Sequence, residues 1–130
     1  MTRRQQNTWT ICTNGYKGTP AGAESRFWSK TGAGAIYGFR NNHHAKWTEE
    51  YQAEALEKQL TAVLEHKGFR GVYIWQFCDV RVSDEWFAGR PRTMNNKGVG
   101  DEYRRRKLSY DVVKRIFESY SDYLDIMLDS

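Results

Sequence analysis

The chain has 130 residues, 28% of them charged and 39% hydrophobic. That composition suits one globular domain with its own core and excludes a disordered chain. The net charge of +4 and a pI near 9.1 are mildly basic and fit an anionic ligand or nucleic acid without selecting either. No apolar run approaches the ~20 residues of a membrane helix, so no membrane partner is expected. A fold that needs about 250 residues cannot be complete within this length.

In chain order, Met1-Thr2-Arg3-Arg4-Gln5-Gln6 has charge but no apolar stretch behind it, so it is not expected to be a secretory leader. Residues 1–25 are polar and Gly-rich, with turn signals at Asn14-Gly15 and Thr19-Pro20-Ala21-Gly22. They read as loop, with at most a short extended piece over 8–12. Arg26-Phe27-Trp28-Ser29 reads as a short buried strand running into Gly32-Ala33-Gly34-Ala35, where small residues let backbone approach something closely. The spacing predicts a helix over 48–66: Thr48 can cap it, Glu49 and Glu50 suit its positive end, and His66-Lys67 precede Gly68. Leu56, Leu60, Val63 and Leu64 make one apolar stripe opposite Glu54, Lys58 and Glu65. The β-branched and aromatic run over 72–78 predicts a strand covered on both faces. Residues 79–100 read as a long loop. A second helix is expected from about 107, burying Leu108, Val112, Ile116, Phe117, Tyr120, Leu124 and Met127. Strand, helix, strand, loop, helix implies an α/β fold with parallel strands and right-handed crossovers.

Cys12 and Cys78 stand far apart and His43-His44 cannot share one helix face, so no metal site and no cofactor are expected. Two free thiols without a leader suit a reducing, cytoplasmic location. Arg104-Arg105-Arg106-Lys107 reads as a solvated loop and helix start.

Three motifs in order carry a resemblance: Trp47-Thr48-Glu49-Glu50-Tyr51-Gln52, Trp75-Gln76-Phe77-Cys78-Asp79 and Asn95-Asn96-Lys97-Gly98. Over residues 29–118 the chain resembles the C-terminal part of the catalytic (βα)8 barrel of family 2 glycoside hydrolases, closest to the β-glucuronidases. The resemblance implies a partial TIM barrel, its last two βα units with open parallel strands, over 29–130, preceded by a poorly matching, mostly loop segment over 1–28. It implies that Trp75 stacks on the sugar and is followed by a cis peptide. It also implies that Asn95 and Lys97 hold the sugar carboxylate, for which an amide and an ammonium are suited. The implied ligand is a β-glucuronide, β-galactoside or related glycoside.

The departures concern catalysis. Ser29-Lys30-Thr31-Gly32 places Lys30 where the family has its nucleophilic Glu. No Asn-Glu pair occurs for the acid/base, Glu24 lies too far from the motif, and Arg106 stands where relatives often have Pro. A retaining glycosidase needs two carboxyl groups about 5–5.5 Å apart. The expectation is therefore a catalytic-domain fragment, truncated or frame-disrupted, that is inactive alone. Its unpaired strand edges would recruit the remainder of the barrel, self-associate, or be covered by the N-terminal segment. The alternatives are a carbohydrate- or anion-binding remnant using Trp75 with Lys97, and a small basic nucleic-acid-binding protein using residues 104–107. Nucleic acid is not the expected partner, because a binding patch would need further basic clusters.

Overall fold

The computed structural model describes residues 10–13, 26–66, 69–85 and 88–128. Strand β1 (Thr10–Thr13) and β2 (Arg26–Thr31) are followed by helix α1 (Glu49–Glu65) and strand β3 (Phe69–Ile74). Then come two short strands, β4 (Val80–Arg81) and β5 (Met94–Asn95), with a 3-10 turn at Pro91–Thr93 before β5, and finally helix α2 (Leu108–Leu128). The main sheet has the order β1-β2-β3, with β1 antiparallel to β2 and β2 parallel to β3. The architecture is mixed α/β with a parallel strand pair and two helices, and no barrel is closed among the described residues. The extended piece expected over 8–12 is β1, which lies along the outer edge of β2. The remainder of residues 1–25, including Glu24, lies outside the described residues.

Helix α1 forms as its sequence dictates. Thr48 has an extended backbone and its hydroxyl accepts a hydrogen bond from the Tyr51 N–H at 3.2 Å, satisfying one donor of the first turn. Leu56, Leu60 and Val63 are fully buried. Leu56 and Leu60 pack with Val99, Val113 and Ile116, while Val63 packs with Trp28, whose ring meets Phe69 edge-on at 5.3 Å. The core therefore sits between the sheet and the α1–α2 pair.

Three expectations need correction. The strand expected over 72–78 is displaced to Phe69–Ile74. At its end the Trp75 N–H donates to the Thr31 carbonyl at 2.6 Å, but the Gln76 N–H donates to the Lys97 carbonyl at 3.1 Å. The chain leaves the sheet there and zips onto a different segment. Residues 79–100 are not plain loop, because Val80↔Asn95 and Arg81↔Met94 form an antiparallel ladder. On α2 the buried positions are Ser109, Val113 and Ile116, with Val112 partly buried and Phe117 39% exposed. Val112, Ile116 and Tyr120 pack in or against the core as expected, whereas Phe117 borders an open apolar cleft beside Ile74 and Val99. The side chains of Leu124 and Met127 lie outside the described residues.

Candidate functional site

The residues singled out from sequence sit at strand ends. Trp75 follows β3 directly and is 43% exposed, so it is not a core residue. Asn95 ends β5 and Lys97 lies two residues beyond it. The bond from Gln76 N to Lys97 O is followed by one from Val99 N to Gln76 O at 3.0 Å, which lays the two motifs side by side. The peptide between Trp75 and Gln76 is cis. The Asn95 side-chain oxygen accepts from the Lys97 N–H at 3.2 Å and so fixes the turn that presents Lys97.

Gly32 is the floor of this arrangement. A Cβ there would stand 2.1 Å from the Trp75 carbonyl oxygen and 3.6 Å from Lys97 Cδ, so only glycine allows this approach. Two residues earlier, Lys30 places its ammonium 4.8 Å from the Trp75 ring centroid, within cation–π range. The fold thus brings Lys30, Trp75 and Lys97 together.

Burial pushes the half-buried Lys97 ammonium below its ordinary pKa, and the charges of Arg90 and Lys30 push it the same way. Arg90 belongs to the cationic cluster, and nothing in its local sequence distinguished it. A group of cations that raise one another's energy is relieved by an anion, so the electrostatics favour an acidic ligand.

Lys97 also lines a cavity of about 450 Å³ with Gly32, Gly34, Trp47 and Tyr51. Among the described residues Glu54 is the one carboxylate on its wall. Its oxygens lie 2.6 Å from His44 Nδ1 and 2.6 Å from Lys58 Nζ. The hydrogen bond from His44, then that from Lys58 together with its charge, lowers the Glu54 pKa to about 2. A depressed carboxyl stabilises the fold above its ordinary pKa of 4.5, and that contribution fades as pH falls from there through about 2. An NMR titration should find the Glu54 carboxyl near this low value, and Lys58→Ala should move it upward. A midpoint near 4.5 in the native chain would show the ion triad to be absent. Ionised and doubly bonded, Glu54 cannot serve as a proton donor near neutral pH. The wall therefore lacks the pair of carboxyl groups that glycosidic hydrolysis requires. Among the described residues no cluster of His, Cys, Asp or Glu could hold a metal ion.

Beneath the site lies a buried polar scaffold that sequence reasoning missed. Lys107, expected in a solvated run, is 1% exposed. Its ammonium donates to Ala35 O at 2.7 Å, Asp79 Oδ1 at 2.9 Å and Asn96 O at 3.3 Å. Burial raises the Asp79 pKa and lowers that of Lys107, each opposed by the partner. Asp79 Oδ1 also accepts from the Gly98 N–H at 2.9 Å. Gln52 donates to Ala33 O and Gly98 O, both at 2.9 Å, and accepts from the Ser109 hydroxyl. Glu49 accepts from the Gly38 N–H and, at the start of α2, from the Leu108 N–H. Two other members of the basic run are engaged too: Arg105 pairs with Asp101 and stacks on Tyr37, and Arg106 lies over Tyr110.

No family model and no curated protein matches the chain. Solved structures do. A GH2 β-galacturonidase from Eisenbergiella tayi, bound to galacturonate, is 62% identical over 72% of this chain with a TM-score of 0.69. A β-D-glucuronidase of Dictyoglomus thermophilum is 28% identical over 71% with a TM-score of 0.59. A β-glucuronidase of Faecalibacterium prausnitzii, at 24% identity over 71% and a TM-score of 0.62, shares the fold. The chain spans 17% of the galacturonidase and 15% of each glucuronidase.

Proposed function

Because this chain is a segment of a family 2 glycoside hydrolase, close to the β-glucuronidases, we propose that it holds a sugar acid without hydrolysing it. In this reading β2-α1 and β3-α2 are the last two βα units of the family's barrel, residues 1–28 stand apart from 29–130, and the free edge of β3 takes the remaining strands or a second copy. Trp75 stacks on the sugar ring, the Lys97 ammonium meets its carboxylate, and Asn95 holds the turn and offers its amide. The observation that carries the reading is the half-buried Lys97 beside an exposed Trp75, with further cations and, among the described residues, no carboxylate pair on the cavity wall. The galacturonate bound by the 62% identical relative makes galacturonate the first ligand to try and β-galacturonides or β-glucuronides the substrates of an intact enzyme. The half-buried free thiol of Cys78 suits a cytoplasmic location. The nucleic-acid alternative is weakened by the engagement of residues 105–107 within the fold.

An assay of the chain on 4-nitrophenyl β-galacturonide and β-glucuronide tests the catalytic half of the proposal. No turnover above buffer is expected. Lys30→Glu should also give none, because one carboxylate cannot act as both nucleophile and acid/base. Turnover by the native chain would contradict it.

A further inference from the structure

We propose that the site holds a uronate extended at its 4-hydroxyl by a second uronate, with the second unit lying in the cavity beyond Lys97. The proposal rests on the sugar-acid reading above and adds the direction in which the ligand continues. Gly32 and Lys97 belong to both places. A Cβ at Gly32 would meet the Trp75 carbonyl oxygen and Lys97 Cδ, and Gly32 and Lys97 also line the cavity of about 450 Å³. In a hexuronate the carboxylate is borne on C5, next to the hydroxyl on C4, and the glycosidic C1 lies across the ring from C4. A carboxylate held by Lys97 therefore places O4 nearer the cavity than O1. A group on O4 would enter it.

The rest of the cavity wall suits a second sugar acid. Trp47 and Tyr51 line it, and Tyr51 is 40% exposed, so ring surface is open to the carbon face of a pyranose. Trp47 is held in place: its carbonyl accepts from the Ile36 N–H at 2.9 Å, and a Cβ at Gly34 would stand 2.6 Å from its Cζ3. Lys46, exposed and also on the wall, carries its ammonium 5.1 Å from the Trp47 ring centroid. Its flexible stem lets the ammonium move from the ring to a carboxylate. Among the described residues the wall has three ammonium groups, those of Lys46, Lys58 and Lys97, and one carboxylate, Glu54. The Glu54 oxygens already lie 2.6 Å from His44 Nδ1 and 2.6 Å from Lys58 Nζ. The wall is thus cationic where a second carboxylate would sit. Its volume is within the range of about 300–1,000 Å³ found for small-ligand pockets.

Calorimetry on the 130-residue chain at low salt, with galacturonate and α-1,4-digalacturonate as separate probes, tests this. The dimer should bind about tenfold more tightly than the monomer, the size of one added charge-assisted contact. Lys46 and Tyr51 are exposed, so Lys46→Gln and Tyr51→Ala should fold normally. Each variant should remove most of the preference for the dimer and leave galacturonate within about twofold of native. Lys114→Gln, on α2 and away from this cavity, should keep the preference. A dimer that binds the native chain no better than the monomer would overturn the proposal while leaving the sugar-acid reading intact. So would a preference that survives in both Lys46→Gln and Tyr51→Ala. A loss as large in Lys114→Gln would also overturn it, by showing attraction to net charge alone. Absence of binding by both ligands would overturn both readings.

Discussion

Lys107→Met is expected to cost about 3–5 kcal/mol of folding stability, the loss seen when one partner of a buried ion pair is removed. Methionine can follow the path of the lysine stem, so packing is largely kept and the change isolates the charge. What remains is Asp79, 3% exposed, with one oxygen already lacking a partner among the described residues and the other reduced to the Gly98 N–H. The carbonyls of Ala35 and Asn96 lose their donor as well. A domain of this size has about 5–15 kcal/mol in total, so the urea midpoint should fall steeply. Adding Asp79→Leu should recover a large part of the loss, because removing both charges of a buried pair is often close to neutral. A single variant within about 1 kcal/mol of native would show that the buried contact does not hold the site together.

Gly98→Ala should be nearly as damaging and should abolish ligand binding. A Cβ at this position would lie 2.3 Å from Gly100 O, 2.4 Å from Asp79 N and 2.5 Å from Cys78 C. All three are backbone atoms, so none can swing aside as a long side chain would. The two segments must separate. Separation strains the bond from Gly98 N to Asp79 and the bond from Gln52 to Gly98 O, and it displaces the adjacent Lys97. Overpacking of a tight interior costs about 1–3 kcal/mol and sometimes more, and the broken buried hydrogen bonds add about 1–3 kcal/mol each. A thermal melt paired with a galacturonate titration checks this. An unchanged melting temperature would mean that the close approach does not exist.

These two residues show where sequence reading succeeds and where it stops. Helix α1 was legible because its signals are local: a Thr48 cap, two acids in the first turn, and a leucine stripe that is buried as expected. The motifs around Trp75, Asn95 and Lys97 were legible as resemblance, although that Gln76 bonds to Lys97 could be read only from the fold. Lys107 was misread because a lysine ending a run of four cations looks solvated, and its burial depends on Asp79, 28 positions away. The same non-locality hid Glu49, whose acidity suits a helix start but whose carboxylate also anchors the backbone of α2. On α2 the apolar residues cover more than one face. Ile116, Val112 and Tyr120 meet the core as periodicity predicted, while Val113 joins them and Phe117 borders the open cleft instead. Arg90 lies in an irregular segment, and its place near Lys97 follows from the β4–β5 ladder.

The central proposal is that Lys97 and Trp75 form a site for a sugar carboxylate. The most direct measurement is an NMR titration of the native chain with galacturonate and, separately, with its uncharged methyl ester. The free acid should saturate in the millimolar range, shifting the Trp75 indole and Lys97 amide signals, and the ester should not. Lys97→Ala should lose the response to the acid. Equal binding of acid and ester, or no shift at either residue, would contradict the account.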